Sequence, residues 1–295
     1  MTSKDSYISP LIMENKTVTK KILQQHGFRV PIGEEFSDIE KALRSYDIFA
    51  GKPFVVKPKT TNYGLGISIF KENGASYEDY QKALTIAFKE DSSVLIEEFI
   101  NGTEYRFFVL DGKVSAVLLR IPANVIGDGS HTIEELVAQK NLNSLRGMDH
   151  RTPLENIQLG ELEVLMLKAQ GYRKDSIPTS DEIVFLRENS NVSTGDSIDM
   201  TDQIPDDYKK IAVDAVSALG ANISGIDLII ENTEVPAANK NAYGIIEANF
   251  NPSMYMHIYP YKGKSRRLTI CILHYLFPEL PKNNLEVFEM LEGLV

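Results

Sequence analysis

Hydrophobic positions with a helical period occur in several segments of the chain. In "NKTVTKKILQQHG" (15–27), Val18, Ile22 and Leu23 fall on one side, and Gly27 is a suitable residue to end a helix. This spacing predicts an amphipathic helix whose apolar side packs on a core. Segments of the same kind predict further helices within 76–90, 131–141, 159–171, 207–220 and 266–277.

Short runs of β-branched and aromatic residues predict strands, and the clearest case is a hairpin. Residues 103–122 contain two such runs on either side of Asp111-Gly112, a pair favoured in two-residue hairpin turns. Strands and helices do not alternate steadily, so we expect an α+β fold with mostly antiparallel strands. The other strands are predicted within 52–59, 60–70, 92–100, 182–196, 223–231 and 242–250.

Composition narrows the class of protein. A chain of 295 residues is longer than a single hydrophobic core usually stabilises, so we expect an enzyme of two or three subdomains. Because 31 Lys and Arg stand against 41 Asp and Glu, the net charge is −10, which argues against binding nucleic acid. No segment has the pattern of a signal peptide or a membrane span. The single Cys271 cannot form an internal disulfide, which fits a reducing cytoplasm.

Common nucleotide and metal signatures are absent from the sequence. "YGLGIS" lacks the third glycine of a dinucleotide-binding turn, and "YKGKS" lacks the upstream glycine of a Walker A loop. There is no HExxH segment and no cysteine pair for zinc. Cys271 lies in "LTICILHYL", an apolar helical stretch, so we expect a buried structural thiol rather than a nucleophile.

One strand, "GIIEANF", has two polar residues, Glu247 and Asn249, in an apolar run. Alternate side chains of a strand share a face, and an unpaired buried carboxylate is costly. Asp227 lies on the preceding strand, and two adjacent antiparallel strands can bring all three side chains together. Their oxygens are the ligands that Mg²⁺ prefers. From the residues alone, a magnesium site and a solvated sheet face both remain open.

Lysines and further acids accompany these oxygen donors. Lys16 begins the first helix, and Lys57 ends "PFVVKP", where snorkelling at a strand end is the alternative to ligand binding. The small-residue loop that follows, 60–66, has backbone amides that can approach phosphates. Three acids surround the apolar strand end in "VLIEEFINGTE", a poor place for them without a ligand: Glu97, Glu98 and Glu104.

In their order along the chain, these segments resemble the ATP-grasp superfamily of carboxylate–amine ligases. The resemblance runs from Lys16 to about Leu280 and depends on "VVKP", the glycine-containing loop, "VLIEEFINGTEYR", "GIDLII" and "IIEANFNP". More narrowly, "LLRIPANVIGDGSHTIEEL", "LRENSNVSTGDSIDMTD" and "NPSMYMHIYPYKGKSRR" are similar to the ATP-grasp half of bifunctional γ-glutamylcysteine synthetase–glutathione synthetases. Cyanophycin synthetase has similar segments and a different product.

The resemblance implies two α+β subdomains whose antiparallel sheets grip ATP between them. The expected division is an N-terminal lid subdomain at 1–98 and a catalytic subdomain at 99–295, with an inserted substrate region at about 122–180. The implied cofactors are ATP and two Mg²⁺ ions, with Mn²⁺ as an alternative metal. The implied metal ligands are Asp227, Glu247 and Asn249, and the implied nucleotide contacts are Lys16, Lys57, Lys59, Tyr63, Gly64, Gly66, Glu97, Glu98, Phe99, Ile100 and Glu104.

The resemblance also assigns residues to the chemistry. A carboxylate attacks the γ-phosphorus of ATP, and an amine then attacks the acyl phosphate, so charge neutralisation, an oxyanion donor and positioning are needed. Arg120 is expected near the acyl phosphate, Arg106 near the metals and phosphates, and Arg187 as a further anion clamp. The residues expected to position the substrate are Asn191, Ser193, Thr194 and Gly195.

Two departures from the family pattern affect these expectations. D-alanine–D-alanine ligases have an arginine where this chain has Gly225, so Arg120 or Arg187 is expected to take over its role, unless that role is absent. ATP-grasp enzymes usually have an additional N-terminal α/β domain that borders the substrate site. We therefore expect a full ATP site and a partial acceptor site here, in an excised half of a longer chain or a short relative.

Three functions remain open from the sequence. The leading one is glutathione synthesis from γ-glutamylcysteine and glycine, with small molecules as partners and neither nucleic acid nor membrane. The second is another amino-acid or dipeptide ligase, such as one of the cyanophycin type. The third is a nucleotide-binding module without catalysis. An attached γ-glutamylcysteine synthetase module and a homodimer are further arrangements that the resemblance suggests.

Overall fold

The computed structural model describes residues 4–60, 66–71, 74–149, 151–187 and 194–279, with Leu162 described by its main chain only. The described helices are α1 (Ile8–Glu14), α2 (Lys16–Gln25), α3 (Ile39–Arg44), α4 (Tyr46–Phe49), α5 (Tyr77–Glu90), α6 (Ile133–Lys140), α7 (Glu161–Ala169), α8 (Asp206–Ala218), α9 (Tyr255–Ile258) and α10 (Leu268–Leu276). The described strands are β1 (Gly33–Phe36), β2 (Phe54–Pro58), β3 (Ser68–Phe70), β4 (Val94–Glu98), β5 (Thr103–Leu110), β6 (Lys113–Ile121), β7 (Asn124–Ile126), β8 (Arg146–Gly147), β9 (Leu154–Glu155), β10 (Ile183–Phe185), β11 (Asp196–Asp199), β12 (Ile223–Ile230) and β13 (Tyr243–Asn249).

A small antiparallel sheet has the strand order β1-β4-β2-β3. The apolar face of α5 packs on it, with Tyr80 and Leu84 against Phe54 and Ile96, all fully buried. Burying side chains of this size contributes about 1.5–3 kcal/mol each. Lys57 and Glu97 lie on this sheet, so its core fixes two of the predicted nucleotide contacts.

A larger antiparallel sheet has the strand order β11-β6-β5-β12-β13. One face packs on α8, where Tyr208 lies in the same core cluster as Phe107, Ile226 and Leu228. Helices α1 and α2 contribute Met13 and Leu23 to that cluster. The opposite face has charged residues in its middle, and α10 packs near one end of it.

Residues between β6 and β11 form a separate cluster. Strands β7 and β10 pair with each other, and α6 and α7 pack on them through side chains that include Val125, Ile133, Leu167 and Val184. The inserted region predicted at about 122–180 lies within this cluster. The predicted boundary at residue 98 stays a prediction. That prediction assigned α1 and α2 to the N-terminal subdomain, whereas both helices pack on the larger sheet.

The hairpin between β5 and β6 has the predicted turn. Asp111 has φ 51° and Gly112 has φ 68°, so both central residues are left-handed, as a type I′ turn requires. Asp and Gly tolerate that region better than other residues, which is why the pair fixes the hairpin register. The hairpin brings Arg106 and Arg120 to neighbouring strands of the larger sheet.

Cys271 is exposed, so the expectation of a buried thiol is wrong. Helix α10 is apolar on most sides, and its pattern does not define which side faces the core. In the structure α10 buries Leu268 and Tyr275, while Cys271 and Leu273 face outward. No helix of the described ranges is long and apolar enough to cross a membrane.

Candidate active site

A β-bulge aligns the polar residues of β12 and β13. Asp227 pairs with Glu247, but Leu228 pairs with Ile245, so Ile246 is the extra residue. The bulge lets Ile245 and Ala248 both face the core while Glu247 and Asn249 point to the opposite face. Alternation along the strand therefore predicted correctly that these two side chains share a face.

Arg106, Asp227 and Glu247 form a row across three strands, which we call the charged row. Asp227 pairs with Arg106 of β5 on one side and with Glu247 of β13 on the other. The Arg106 guanidinium holds the Asp227 carboxylate at two points, Nε to Oδ1 at 2.6 Å and Nη2 to Oδ2 at 2.5 Å. Burial favours a raised pKa for Asp227, but the Arg106 charge outweighs it and holds that pKa below its usual value.

Arg120 lies beside the charged row. Its Nη1 donates to Glu104 Oε1 at 2.9 Å and lies 3.6 Å from Asp227 Oδ2. A side chain at Gly225 would place its Cβ 2.9 Å from Pro252 and 3.9 Å from Arg106 Cδ. A side chain at this position would therefore require Pro252 to shift, and the Arg106 side chain lies nearby. The expectation that Arg120 or Arg187 replaces the arginine of D-alanine–D-alanine ligases stays a prediction.

The oxygen donors around the charged row are the predicted ligands of a divalent cation, and that assignment stays a prediction. Asp227 is 1% exposed, and the Glu247 carboxylate opposite it lies 3.7 Å from Lys16 Nζ. Asn249 Nδ2 is buried without a hydrogen-bond partner in the described residues. The described residues contain no group of three or more His, Cys, Asp or Glu that could hold a metal. A site here therefore needs the Asn249 amide and ligand oxygens, as Mg²⁺ sites commonly do.

A second ionic cluster joins α2 to the small sheet. Glu97 accepts from Lys20 Nζ through Oε1 and from Lys57 Nζ through Oε2, the latter at 2.7 Å. Burial, with the Lys57 charge, lowers the pKa of Lys20 to about 7. Burial favours a raised pKa for Glu97, but the two lysines outweigh it and lower that pKa. A small cleft between α2 and β13 is lined by Lys16, Lys20 and Glu247.

Sequence reasoning missed Lys20, although the sequence contained a signal. Lys16 and Lys20 are four residues apart on α2, and this spacing places two side chains on one face of a helix. Lys16 was predicted from its position at the helix start, so the second lysine on the same face was available to the same argument. Both now lie near acids that were predicted as site residues.

The remaining predicted nucleotide contacts lie at the end of β4 and around it. Glu98 Oε1 accepts from Ile32 N at 3.2 Å and lies 3.6 Å from Arg29 Nη2. Phe99 is half-buried and Ile100 is buried. Lys59 pairs with Glu35 at 2.7 Å, and Gly66 has φ 72°. Tyr63 and Gly64 lie outside the described residues.

Among the described residues, Arg187 forms an ion pair with Glu163 of α7. Its Nε donates to Glu163 Oε1 of α7 at 2.5 Å, and none of its described contacts reaches Arg106 or Arg120. Thr194 and Gly195 have carbonyl groups that accept from a buried arginine, Arg146. Asn191 and Ser193 lie outside the described residues.

His257 is a buried residue that the sequence did not indicate. It is 1% exposed, packs edge-on against Phe108 with ring centroids 5.5 Å apart, and neither ring nitrogen has a partner among the described residues. Burial, and secondarily the Arg106 charge, lowers its pKa to about 3. The imidazole is therefore neutral at physiological pH beside the charged row.

The sequence and the fold were compared with those of known proteins. The family model described as phosphoribosylglycinamide synthetase, ATP-grasp (A) domain, matches residues 14–124. A D-alanine–D-alanine ligase from Bacillus anthracis has the same fold, at 16% identity and a TM-score of 0.51 over 92% of this chain and 66% of that one. The chain has the ATP-grasp fold, and that fold in general implies ATP binding and the use of divalent metal ions.

Within that class the chain is similar to one part of much longer proteins. It is 65% identical over 282 residues to the glutathione biosynthesis bifunctional protein GshAB of Enterococcus faecalis and 58% identical to that of Pasteurella multocida. Both alignments cover 95% of this chain and 37% of the relative. The crystal structure of a bifunctional glutathione synthetase from Pasteurella multocida matches at a TM-score of 0.71, 58% identity, 95% of this chain and 38% of that one. The chain therefore spans somewhat more than a third of the length of these proteins.

Proposed function

We propose that this chain is an ADP-forming, ATP-dependent ligase that joins γ-glutamylcysteine to glycine and produces glutathione. The observation that carries the proposal is the charged row, where Arg106, Asp227 and Glu247 align on one face with Arg120 and Lys16 beside them. The similarity to bifunctional glutathione biosynthesis proteins over 95% of the chain supports the choice of product.

The first chemical step brings a carboxylate to the γ-phosphate of ATP, and both are anions. Lys16 and Lys57 are proposed to neutralise phosphate charge, and Lys20, which shares Glu97 with Lys57, lies in the same ionic cluster. Asp227, Glu247 and Asn249 would hold two Mg²⁺ ions, for which Mn²⁺ is an alternative. When bound, the metal ions neutralise charge on the β- and γ-phosphates and align them.

The second step forms the amide bond. The acceptor amine attacks the carbonyl carbon of the acyl phosphate, an oxyanion develops, and phosphate leaves with the bonding electrons. Arg120 is the donor proposed for that oxyanion, and Arg106, which holds Asp227, is proposed to supply positive charge beside it. Arg187, Thr194 and Gly195 are proposed to hold the peptide, together with Asn191 and Ser193.

Nucleotide binding on this surface competes with existing ion pairs. Glu97 is proposed to accept from the adenine amino group, the segment Glu98–Ile100 to contact the ring, and Glu104 to hold the ribose. In the structure Glu97 is bonded to Lys20 and Lys57, and Glu104 to Arg120. ATP phosphates would take over the two lysines and free Glu97, and the ribose would compete with Arg120 for Glu104, so we expect ATP to replace existing ion pairs with contacts to the nucleotide.

The setting of the reaction is proposed from the relatives. The relatives are bifunctional, so we propose that a γ-glutamylcysteine synthetase activity supplies the dipeptide, in the same chain or in a separate one. We propose a cytoplasmic location, where ATP and the thiol peptide are available, and small molecules as the substrates.

The test is a product assay with the purified chain. ATP, Mg²⁺, γ-glutamylcysteine and glycine are incubated, and glutathione is measured by mass spectrometry beside ADP. The expected result is equal amounts of glutathione and ADP, each dependent on both substrates. Replacing glycine by other amino acids tests the acceptor. Absence of peptide product with every acceptor, at full nucleotide binding, would contradict the proposal.

A further inference from the structure

Arg146 is a fully buried arginine that joins the inserted cluster to the start of β11. Its side chain is 0% exposed. Nη1 donates to the carbonyl oxygen of Thr194 at 3.1 Å, and Nη2 donates to that of Gly195 at 3.1 Å and to Asp196 Oδ1 at 2.5 Å. Nη1 also donates to the carbonyl oxygen of Glu155 at 2.9 Å, so one guanidinium connects β9 to three consecutive residues.

Lys140 supports only one of these contacts. Its Nζ lies 2.6 Å from Asp196 Oδ2 and donates to the main-chain and side-chain oxygens of Asn124, at 2.9 and 3.1 Å. The structure assigns it no bond to Thr194 or Gly195. Lys140 and Arg146 therefore share the Asp196 carboxylate, and of these two residues Arg146 alone donates to the carbonyl groups of Thr194 and Gly195.

The contacts of Arg146 are coupled to the active site through strand pairing. Asp196 and Ser197 of β11 pair with Ile121 and Arg120 of β6, so the chain that Arg146 holds enters the sheet beside Arg120. A buried guanidinium is rigid and forked, and each charge-assisted bond to a carbonyl fixes direction as well as distance. Any displacement of Thr194 and Gly195 is therefore restricted relative to Arg120.

We propose that Arg146 is a positioning residue for the peptide substrate, and that it acts by fixing the main chain of Thr194 and Gly195. The inference rests on the proposed function, in which these two residues contact γ-glutamylcysteine near Arg120. Without the guanidinium, the two carbonyl groups lose their partner, and Asp196 keeps Lys140. The peptide site then loses its shape while the nucleotide site, formed by Lys16, Lys57 and the charged row, is unchanged.

The test compares Arg146→Met and Arg146→Lys with two controls. Lys140→Met removes a cation from Asp196 and leaves the carbonyl contacts, and Arg173→Met removes an arginine whose side chain is 80% exposed. Each variant is measured by calorimetry with a non-hydrolysable ATP analogue, by calorimetry with γ-glutamylcysteine on the analogue complex, and by ligation kinetics. Thermal unfolding shows which variants are folded.

We expect Arg146→Met to weaken γ-glutamylcysteine binding and raise its KM by about tenfold or more, with the affinity for the ATP analogue unchanged within about twofold. Arg146→Lys should recover part of the lost affinity for γ-glutamylcysteine. Lys140→Met should lose less of that affinity than Arg146→Met, and Arg173→Met should bind γ-glutamylcysteine like the wild type. If Arg146→Met does not fold, Arg146→Lys provides the test, because its affinity for γ-glutamylcysteine should fall while its affinity for the ATP analogue stays unchanged.

Two results would overturn the proposal. One is unchanged peptide affinity in the folded Arg146 variants, and the other is a parallel loss of peptide and nucleotide affinity, which indicates a general structural role. A wild-type chain that binds γ-glutamylcysteine without ligating it contradicts the proposed function alone, because peptide affinity still tests Arg146. A wild-type chain that binds no peptide contradicts both.

Discussion

His257 gives a pH-dependent test of how the active-site face is packed. Its folded-state pKa is about 3, against an ordinary value of 6.5, because burial disfavours the charged imidazolium and Arg106 adds repulsion. Above pH 6.5 the imidazole is neutral in both the folded and the unfolded chain. As the pH falls below 6.5, the unfolded chain takes up a proton that the folded chain refuses. Stability is therefore lost progressively until the pH reaches about 3.

The size of the effect follows from the two pKa values. At about pH 5 the unfolded histidine is mostly protonated and the folded one is not, which costs about 2 kcal/mol of unfolding free energy relative to neutral pH. Neither ring nitrogen has a hydrogen-bond partner among the described residues, and the charges of Asp199 and Asp227 offset the effect of burial only in part. His257→Phe removes the titration and keeps an aromatic ring against Phe108.

The assay is urea unfolding at about pH 7.5 and about pH 5 for wild type and His257→Phe. We expect the free energy of unfolding to fall by about 2 kcal/mol more for the wild type than for His257→Phe when the pH is lowered from about 7.5 to about 5. His26→Asn, at an exposed histidine, is the matched control and should follow the wild type. Equal pH dependence in wild type and His257→Phe would refute the burial and isolation of this ring.

The oxygen donors and the thiol provide further tests. Glu247→Ala and Asn249→Ala should each lower turnover by about a hundredfold or more with little change in melting temperature. The reason is that a lost metal ligand removes several kcal/mol of charge stabilisation in the transition state. Near-normal turnover of both variants at saturating Mg²⁺ would contradict the metal assignment. Asp227→Asn should lower the unfolding free energy in urea by about 3–5 kcal/mol, because Arg106 loses its buried partner, and a loss below about 1 kcal/mol argues against the pair. Cys271→Ser should change stability by less than about 0.5 kcal/mol and leave turnover intact, and a thiol reagent should titrate Cys271 in the folded chain; protection of that thiol contradicts its exposure.

Local patterns predicted most elements of the fold because the signals were strong. The helix at Lys16–Gln25 ends before Gly27, and the Asp111-Gly112 turn forms the expected hairpin. Strand β1 was not predicted, since "GEEF" is polar and exposed and owes its place to pairing with β4. The outward face of α10 at Cys271 was missed because an apolar helix has no polar side to orient it.

The sequence predicted which types of residue form the candidate site, but it did not predict which of them lie opposite one another on neighbouring strands. Alternation placed Glu247 and Asn249 together, but the bulge at Ile246 that sets Glu247 opposite Asp227 has no sequence signature. Arg146 lies far along the chain from the residues it holds, and His257 lies in an apolar run without a motif. Their roles depend on tertiary contacts, which a local pattern does not specify.

The transfer of the γ-phosphoryl group of ATP to a peptide carboxylate is the central claim, and an isotope measurement tests it most directly. γ-Glutamylcysteine with ¹⁸O in its cysteinyl carboxylate is incubated with glycine, ATP, Mg²⁺ and the chain, and the released phosphate is examined by mass spectrometry. An acyl-phosphate intermediate transfers one carboxylate oxygen to each phosphate, so the expected product is phosphate with a single ¹⁸O beside glutathione that has lost one. Unlabelled phosphate released beside glutathione that keeps a single ¹⁸O would contradict the claim, because the lost oxygen would then have left by another route.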